Sequence, residues 1–344
     1  MRLLILCALL QAIAQDGPKE AADKNPVETP ASTHLDVRIH PLVELNAWVR
    51  SLAAGGSETA DLEGLAAAIA AAKALQVKLQ SPLMFGLVEP LLEDCEDAGE
   101  LERKLGDLPE ESPSLPRNLR IRDEAIALAG ALADVEESFN EDLWPERKKA
   151  LEERIHEYRD QLAPRERECF KTLTSDLGMK DPGVRIPLYL VTTYPFPGAI
   201  TFRREGGGGI CFVATGPHPG SQLFETMLHE SLHALDVSTQ GQDHAFQRLR
   251  RLLEDKGLSP RDRRYRDVPH HLMFVEAAEV VRRRVCADHV HYGDLTDYYQ
   301  KTSPDSRIVR EHWLKFLDGE LEREDALSGM ILQILTPQAT DPGK

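Results

Sequence analysis

The chain is short of positive charge. It sets 41 Lys and Arg against 57 Asp and Glu, a formal net charge of −16, which repels phosphate backbones and anionic lipid heads and argues against a nucleic acid or a membrane surface as partner. Arginine clusters only locally, at Arg261, Arg263, Arg264 and Arg266 and at Arg282, Arg283 and Arg284, which reads as a solvated or internally paired face. No two of the five cysteines stand in a C-x-x-C spacing, which removes a thiolate zinc knuckle or a redox dithiol. The glycine run Gly206 to Gly209 lacks both the strand-before, helix-after setting and the Lys-Ser/Thr of a phosphate loop, so it reads as a hairpin connection. An apolar run long enough to cross a bilayer, about 20 residues, is also missing.

What the N-terminus does have is a shorter run. Met1-Arg2 precedes an apolar stretch from Leu3 to Ala14 that closes on Ala12-Ile13-Ala14, the small-x-small pattern of a cleaved export signal. The expected layout is therefore a signal peptide over 1–14 and a flexible, Pro- and charge-rich linker over 15–34, in an exported protein, periplasmic or extracellular. Cys95, Cys169, Cys211 and Cys286 remain after cleavage, enough for two disulfides, with buried free thiols as the other reading.

The rest, 42% apolar and 28% charged over a length of 344 residues, can build one large or two modest domains. Residues 35–180 repeat apolar side chains at helical steps (Leu42, Leu45, Val49, Leu52; Leu62, Leu65, Ile69, Ala72, Leu79; Ile126, Ala129, Leu132, Val135). Breaks fall at Gly55-Gly56, between Pro109 and Pro116, and near Pro145 and Pro164. From Pro182 the texture turns to β-formers, with expected strands at 186–193, 199–202 and 210–215. The expected fold class is α+β: a helical N-terminal region packed on a catalytic half over 181–338 that holds a small sheet and an active-site helix.

Chemistry concentrates in His229-Glu230-Ser231-Leu232-His233, on a helix expected over 220–238 with Phe224, Leu228, Leu232 and Leu235 as its apolar stripe. Four residues advance a helix by about 400°, so the two imidazoles project one above the other and suit a single Zn²⁺. Glu230 lies roughly 100° round, where it can take a proton from water activated by that ion. Asp236, seven residues after His229, is either an orienting carboxylate for an imidazole or a surface group. A third His at Thr239 is absent, so another ligand must come from later in the chain. Glu279 and, behind it, Glu276 stand in the otherwise apolar stretch Val275 to Val281 and are the preferred carboxylates. Pro269 suits a first helical turn, and His270 at that turn is an alternative ligand or a donor to a developing oxyanion. His271 packs a helix start, and His244 opens the preceding helix.

The stretch Met227 to Asp236 resembles the active-site helix of zincin metallopeptidases. His270-x-x-x-Phe274, Glu279-Val280-Val281-Arg282 and Trp313 to Gly319 are similar to segments of uncharacterised bacterial exported proteins of gluzincin-like kind, over about residues 185–335. The resemblance implies Zn²⁺ held by His229, His233 and Glu279, Glu230 as general base, a peptide or protein substrate, and a strand, 210–215, whose edge could pair with an extended peptide. The Asn-Glu-x-x-Ser-Asp pattern of other gluzincins is absent. A non-catalytic exported binding protein on the same scaffold, or a structural zinc with a fourth protein ligand, are the competing expectations.

Overall fold

In the computed structural model, residues 34–58, 60–79, 88–108, 121–181, 183–195, 197–204, 207–216, 218, 220–301 and 304–336 are described. The expected signal peptide and residues 15–33 of the expected linker lie outside them, as does the break between Pro109 and Pro116. In chain order the first elements are β1 (Leu35–Arg38), α1 (Pro41–Ala53), α2 (Leu65–Leu79), α3 (Glu89–Leu92), α4 (Ala98–Asp107), α5 (Arg122–Asp142), α6 (Trp144–Gln161) and α7 (Glu166–Leu177). There follow β2 (Ile186–Val191), β3 (Ala199–Arg203), β4 (Gly209–Ala214) and α8 (Ser221–Ser238). The last are α9 (Ala245–Glu254), α10 (Arg263–Arg284), α11 (Tyr292–Leu295), α12 (Tyr298–Lys301), α13 (Pro304–Leu317) and α14 (Arg323–Leu335). The fold is mostly helical with one small mixed sheet, an α+β arrangement.

The chain divides into two compact units, but not at residue 180. One holds the described residues of Leu9–Arg167 and Gly183–Ser238, the other those of Glu168–Pro182 and Thr239–Lys344. The expected boundary fails because the sheet does not belong to a separate C-terminal half. β1, in the stretch read as wholly helical, pairs in parallel with β2, Leu35 opposite Ile186 and Arg38 opposite Tyr189. Four residues of Leu-Asp-Val-Arg are too short a pattern to stand out beside thirteen residues of helix. His34 is likewise no part of a free linker: its N–H donates to Glu166 Oε1 at 2.6 Å, and Leu35 N–H donates to the same oxygen at 3.1 Å.

In the first unit the sheet runs β1-β2-β4-β3, with β3 antiparallel to β4 and the other pairs parallel. The three expected strands form, and Gly207 and Gly208 lie between β3 and β4 with φ of 101° and 81° that favour glycine. The strand over 210–215 is not an edge, as had been expected. β4 is hydrogen-bonded on both sides, and among the described residues the open edges of the sheet are β1 and β3.

Period-two alternation gives the sheet two faces. Tyr189, Val191, Ile210, Phe212 and Ala214 join Leu42, Trp48, Leu75, Leu101, Leu132 and Phe139 in one core, so α1, α2, α4 and α5 cover one face. The intervening residues of β3 and β4 turn to α8: Thr201 reaches Glu230, and a Cβ on Gly209 would meet Ala234. A buried polar knot ties α1, α6 and β2 together. Glu44 accepts from Arg147 Nη1 at 2.7 Å and from Thr192 N–H at 2.8 Å. Burial pushes the Glu44 carboxyl pKa up, while Thr192 and Arg147 pull against that.

In the second unit α10 packs on α9 and α13, and α14 packs on α13 and α9. The arginine clusters are largely paired here, Arg264 with Asp305, Arg283 with Asp176 and Arg284 with Glu168. Cys95, Cys169 and Cys211 are buried and Cys286 is half-buried, all four as free thiols, so neither of the two allowed disulfides forms. Among the described residues no helix is long and apolar enough to cross a membrane.

Candidate metal centre

α8 starts after Gly220, which takes φ 57°, meets β3 and β4 through the face that carries Glu230 and Ala234, and buries Leu223, Phe224, Met227, Leu228, Leu232 and Leu235. That stripe leaves His229 and His233 on a neighbouring one, and their Nε2 atoms lie 3.2 Å apart with ring planes at 79°. Two nitrogens at the 2.0–2.1 Å typical of zinc, in tetrahedral array, would stand about 3.3 Å apart. The pair therefore has the separation of two ligands on one ion. His229 is buried and His233 half-buried, leaving the second ring on the more accessible side.

Glu230 is buried with its backbone in mid-helix, and the desolvation of its carboxylate raises the pKa to about 7, the hydrogen bond from Thr201 pulling the other way. Thr201 Oγ1 lies 2.7 Å from Glu230 Oε2. A divalent cation on the neighbouring imidazoles would favour the ionised form of the acid. Thr201 was not among the expected site residues. The signal for it was a hydroxyl at the alternate position between Ile200 and Phe202, the two β3 residues that pack against the helical core.

The later candidates all sit on α10, and α10 is not built as expected. Pro269 is not in the first turn: the helix starts at Arg263 and runs unbroken to Arg284. Arg263 pairs with Asp267 one turn on, at 2.7 Å, and buried Val268, Leu272 and Val275 hold the helix through the proline, whose missing N–H costs one bond to the previous turn. His270 is thus a mid-helix residue, half-buried with its ring edge-on to Phe274 at 5.0 Å. From His270 to Glu279 is nine residues, about 900°, which puts them on opposite faces of α10. One straight helix cannot offer both to a common ion.

Glu279 has its own partners. Arg282 Nη2 donates to its Oε2 at 2.6 Å, and His291 Nε2 lies 2.9 Å from its Oε1. Burial would raise the carboxyl pKa, but the bonds from His291 and Arg282 outweigh it and hold the value at about 2. Glu276 is fully buried and accepts from Trp313 Nε1 at 2.7 Å, and burial pushes its pKa up, toward a neutral acid that ligates poorly. His271 is buried with Nδ1 2.6 Å from Tyr298 Oη. His244 caps α9, and Asp236 is half-buried in the last turn of α8. No family model, curated protein or solved structure matches the chain.

Proposed function

We propose that this chain is a zinc-dependent hydrolase that cleaves peptide bonds, with His229 and His233 as metal ligands and Glu230 as general base. The observation that carries the reading is the pair of Nε2 atoms 3.2 Å apart beside a buried carboxylate. Within α10, Glu279 is held by Arg282 and His291, Glu276 by Trp313 and His271 by Tyr298, which supports a ligand set that uses none of the three. The two imidazoles suit a borderline-soft divalent ion and leave its other positions for a further ligand and for solvent or substrate.

Bound there, zinc would polarise a carbonyl and acidify the attacking water. Glu230 takes the proton from that water and passes it to the departing amine. Its burial supports this role, because a carboxylate whose proton affinity lies near neutrality can both accept and return a proton. A peptide is the favoured substrate because β3, which touches the α8 face, has an open edge along which an extended chain could add as a strand. Export to an oxidising compartment belongs to the same proposal.

The test is digestion of β-casein and of a quenched fluorescent peptide library by purified protein, with and without chelator, beside Glu230→Gln. The expected result is chelator-sensitive cleavage that Glu230→Gln abolishes while it retains metal. A wild-type protein that binds zinc and cleaves nothing would turn the assignment toward a binding protein on this scaffold.

A further inference from the structure

We propose that Thr201 is a positioning residue that locks the orientation of the Glu230 carboxylate, an inference that rests on the role given to Glu230 above. The Thr201 hydroxyl has one proton and three acceptors in reach: Glu230 Oε2 at 2.7 Å, the Glu230 carbonyl at 3.0 Å and Cys211 Sγ at 3.3 Å. The carboxyl oxygen is the nearest of the three, so the hydroxyl donates to it. Cys211, directly opposite Thr201 in the β3–β4 pairing, can donate its own weak S–H to the hydroxyl oxygen.

The contact is built by the backbone as well as by the side chain. Thr201 has a β-branched side chain with few rotamers, on a strand whose alternation sends Ile200 and Phe202 to the opposite face. Gly209, two positions from Cys211 along β4, brings the hairpin down onto α8. A Cβ there would lie 2.6 Å from Ala234 Cβ, 2.7 Å from Ala234 Cα and 3.0 Å from Thr201 Cγ2. Ala234 follows His233 directly, so the glycine that permits close approach and the threonine that uses it flank the histidine-bearing turn. With Oε2 pinned, Glu230 presents its other oxygen in one direction, which removes the cost of ordering a buried carboxylate at each turnover.

The experiment compares Thr201→Val, which keeps the shape and loses the hydroxyl, with Thr201→Ser, which keeps the hydroxyl. On the quenched peptide library Thr201→Val is expected to lower kcat by about 10- to 100-fold with KM unchanged, and Thr201→Ser to stay within about 3-fold of wild type. Zinc content, measured by mass spectrometry, is expected to be unchanged in both. Independently of any activity, unfolding of the metal-free protein is measured for Thr201→Val, Glu230→Met and the pair. The expected result is non-additivity, the second substitution costing less once the first is made. Additive losses, or a serine variant as impaired as the valine one, overturn the proposal. A wild-type protein that cleaves no peptide would sink the hydrolase reading, and the unfolding cycle would then decide the contact by itself.

Discussion

Replacing Glu279 by Gln separates an ion-pair anchor from a metal ligand. The side chain is nearly enclosed, receiving Arg282 at 2.6 Å and His291 at 2.9 Å. Holding the carboxyl at about 2 against an ordinary 4.5 corresponds to roughly 3 kcal/mol in favour of the folded state at neutral pH. Arg282 is 43% exposed, and solvent screening of that partner brings the figure to about 2 kcal/mol. The sign follows from the depressed value: the contribution is complete above the unfolded pKa and drains away as pH falls from about 4.5 toward 2. Urea unfolding of wild type and Glu279→Gln at pH 7 and pH 3, with zinc content measured at pH 7, is the assay. The variant should keep its zinc, be less stable by about 2 kcal/mol at pH 7, and lose more than half of that deficit at pH 3. Loss of zinc with unchanged stability, or a deficit independent of pH, would return Glu279 to the metal and refute the anchoring argument.

His229→Ala and His233→Ala should each abolish zinc binding in equilibrium dialysis while the helix, held by the buried leucine stripe, stays folded by circular dichroism. His271→Ala should keep its zinc, because His271 is engaged with Tyr298; the same dialysis measurement reads it. Arg147→Ala leaves Glu44 buried without its cation and should cost about 3–5 kcal/mol in urea at pH 7. With burial raising the Glu44 pKa, that deficit should shrink as pH falls toward 5 and the acid takes up a proton. Trp313→Phe removes the donor to Glu276 and should cost about 1–3 kcal/mol.

The helices with clean apolar periods were legible from sequence, as were the three strands after residue 185 and the motif helix to within a residue of its start. Each of those signals is local: a stripe of Leu228, Leu232 and Leu235, or a run such as Ile210 to Ala214. β1 was not legible, because a four-residue strand is defined by the partner it finds and that partner lies far along the chain. The edge assigned to 210–215 failed for the same reason, since strand order is a tertiary fact. At the candidate site, His229, Glu230 and His233 were legible because their spacing is itself the geometry. Thr201 was not, because it meets Glu230 only through the pairing of β3 with β4. The start of α10 was misplaced at Pro269 by giving one residue's preference more weight than the packing of Val268, Leu272 and Val275 around it.

The parallel pairing of β1 with β2 joins residues such as Arg38 and Tyr189 that stand 151 positions apart. A chain emerging from its N-terminus carries β1 as an unmatched ribbon until nearly two hundred residues have been made, so the sheet is sealed late and at a high loop-closure cost. It follows that a fragment beginning near 181 would not behave as a free-standing catalytic module. It would expose the flank of β2 where β1 belongs, and a raw sheet margin of six residues in place of four invites self-association.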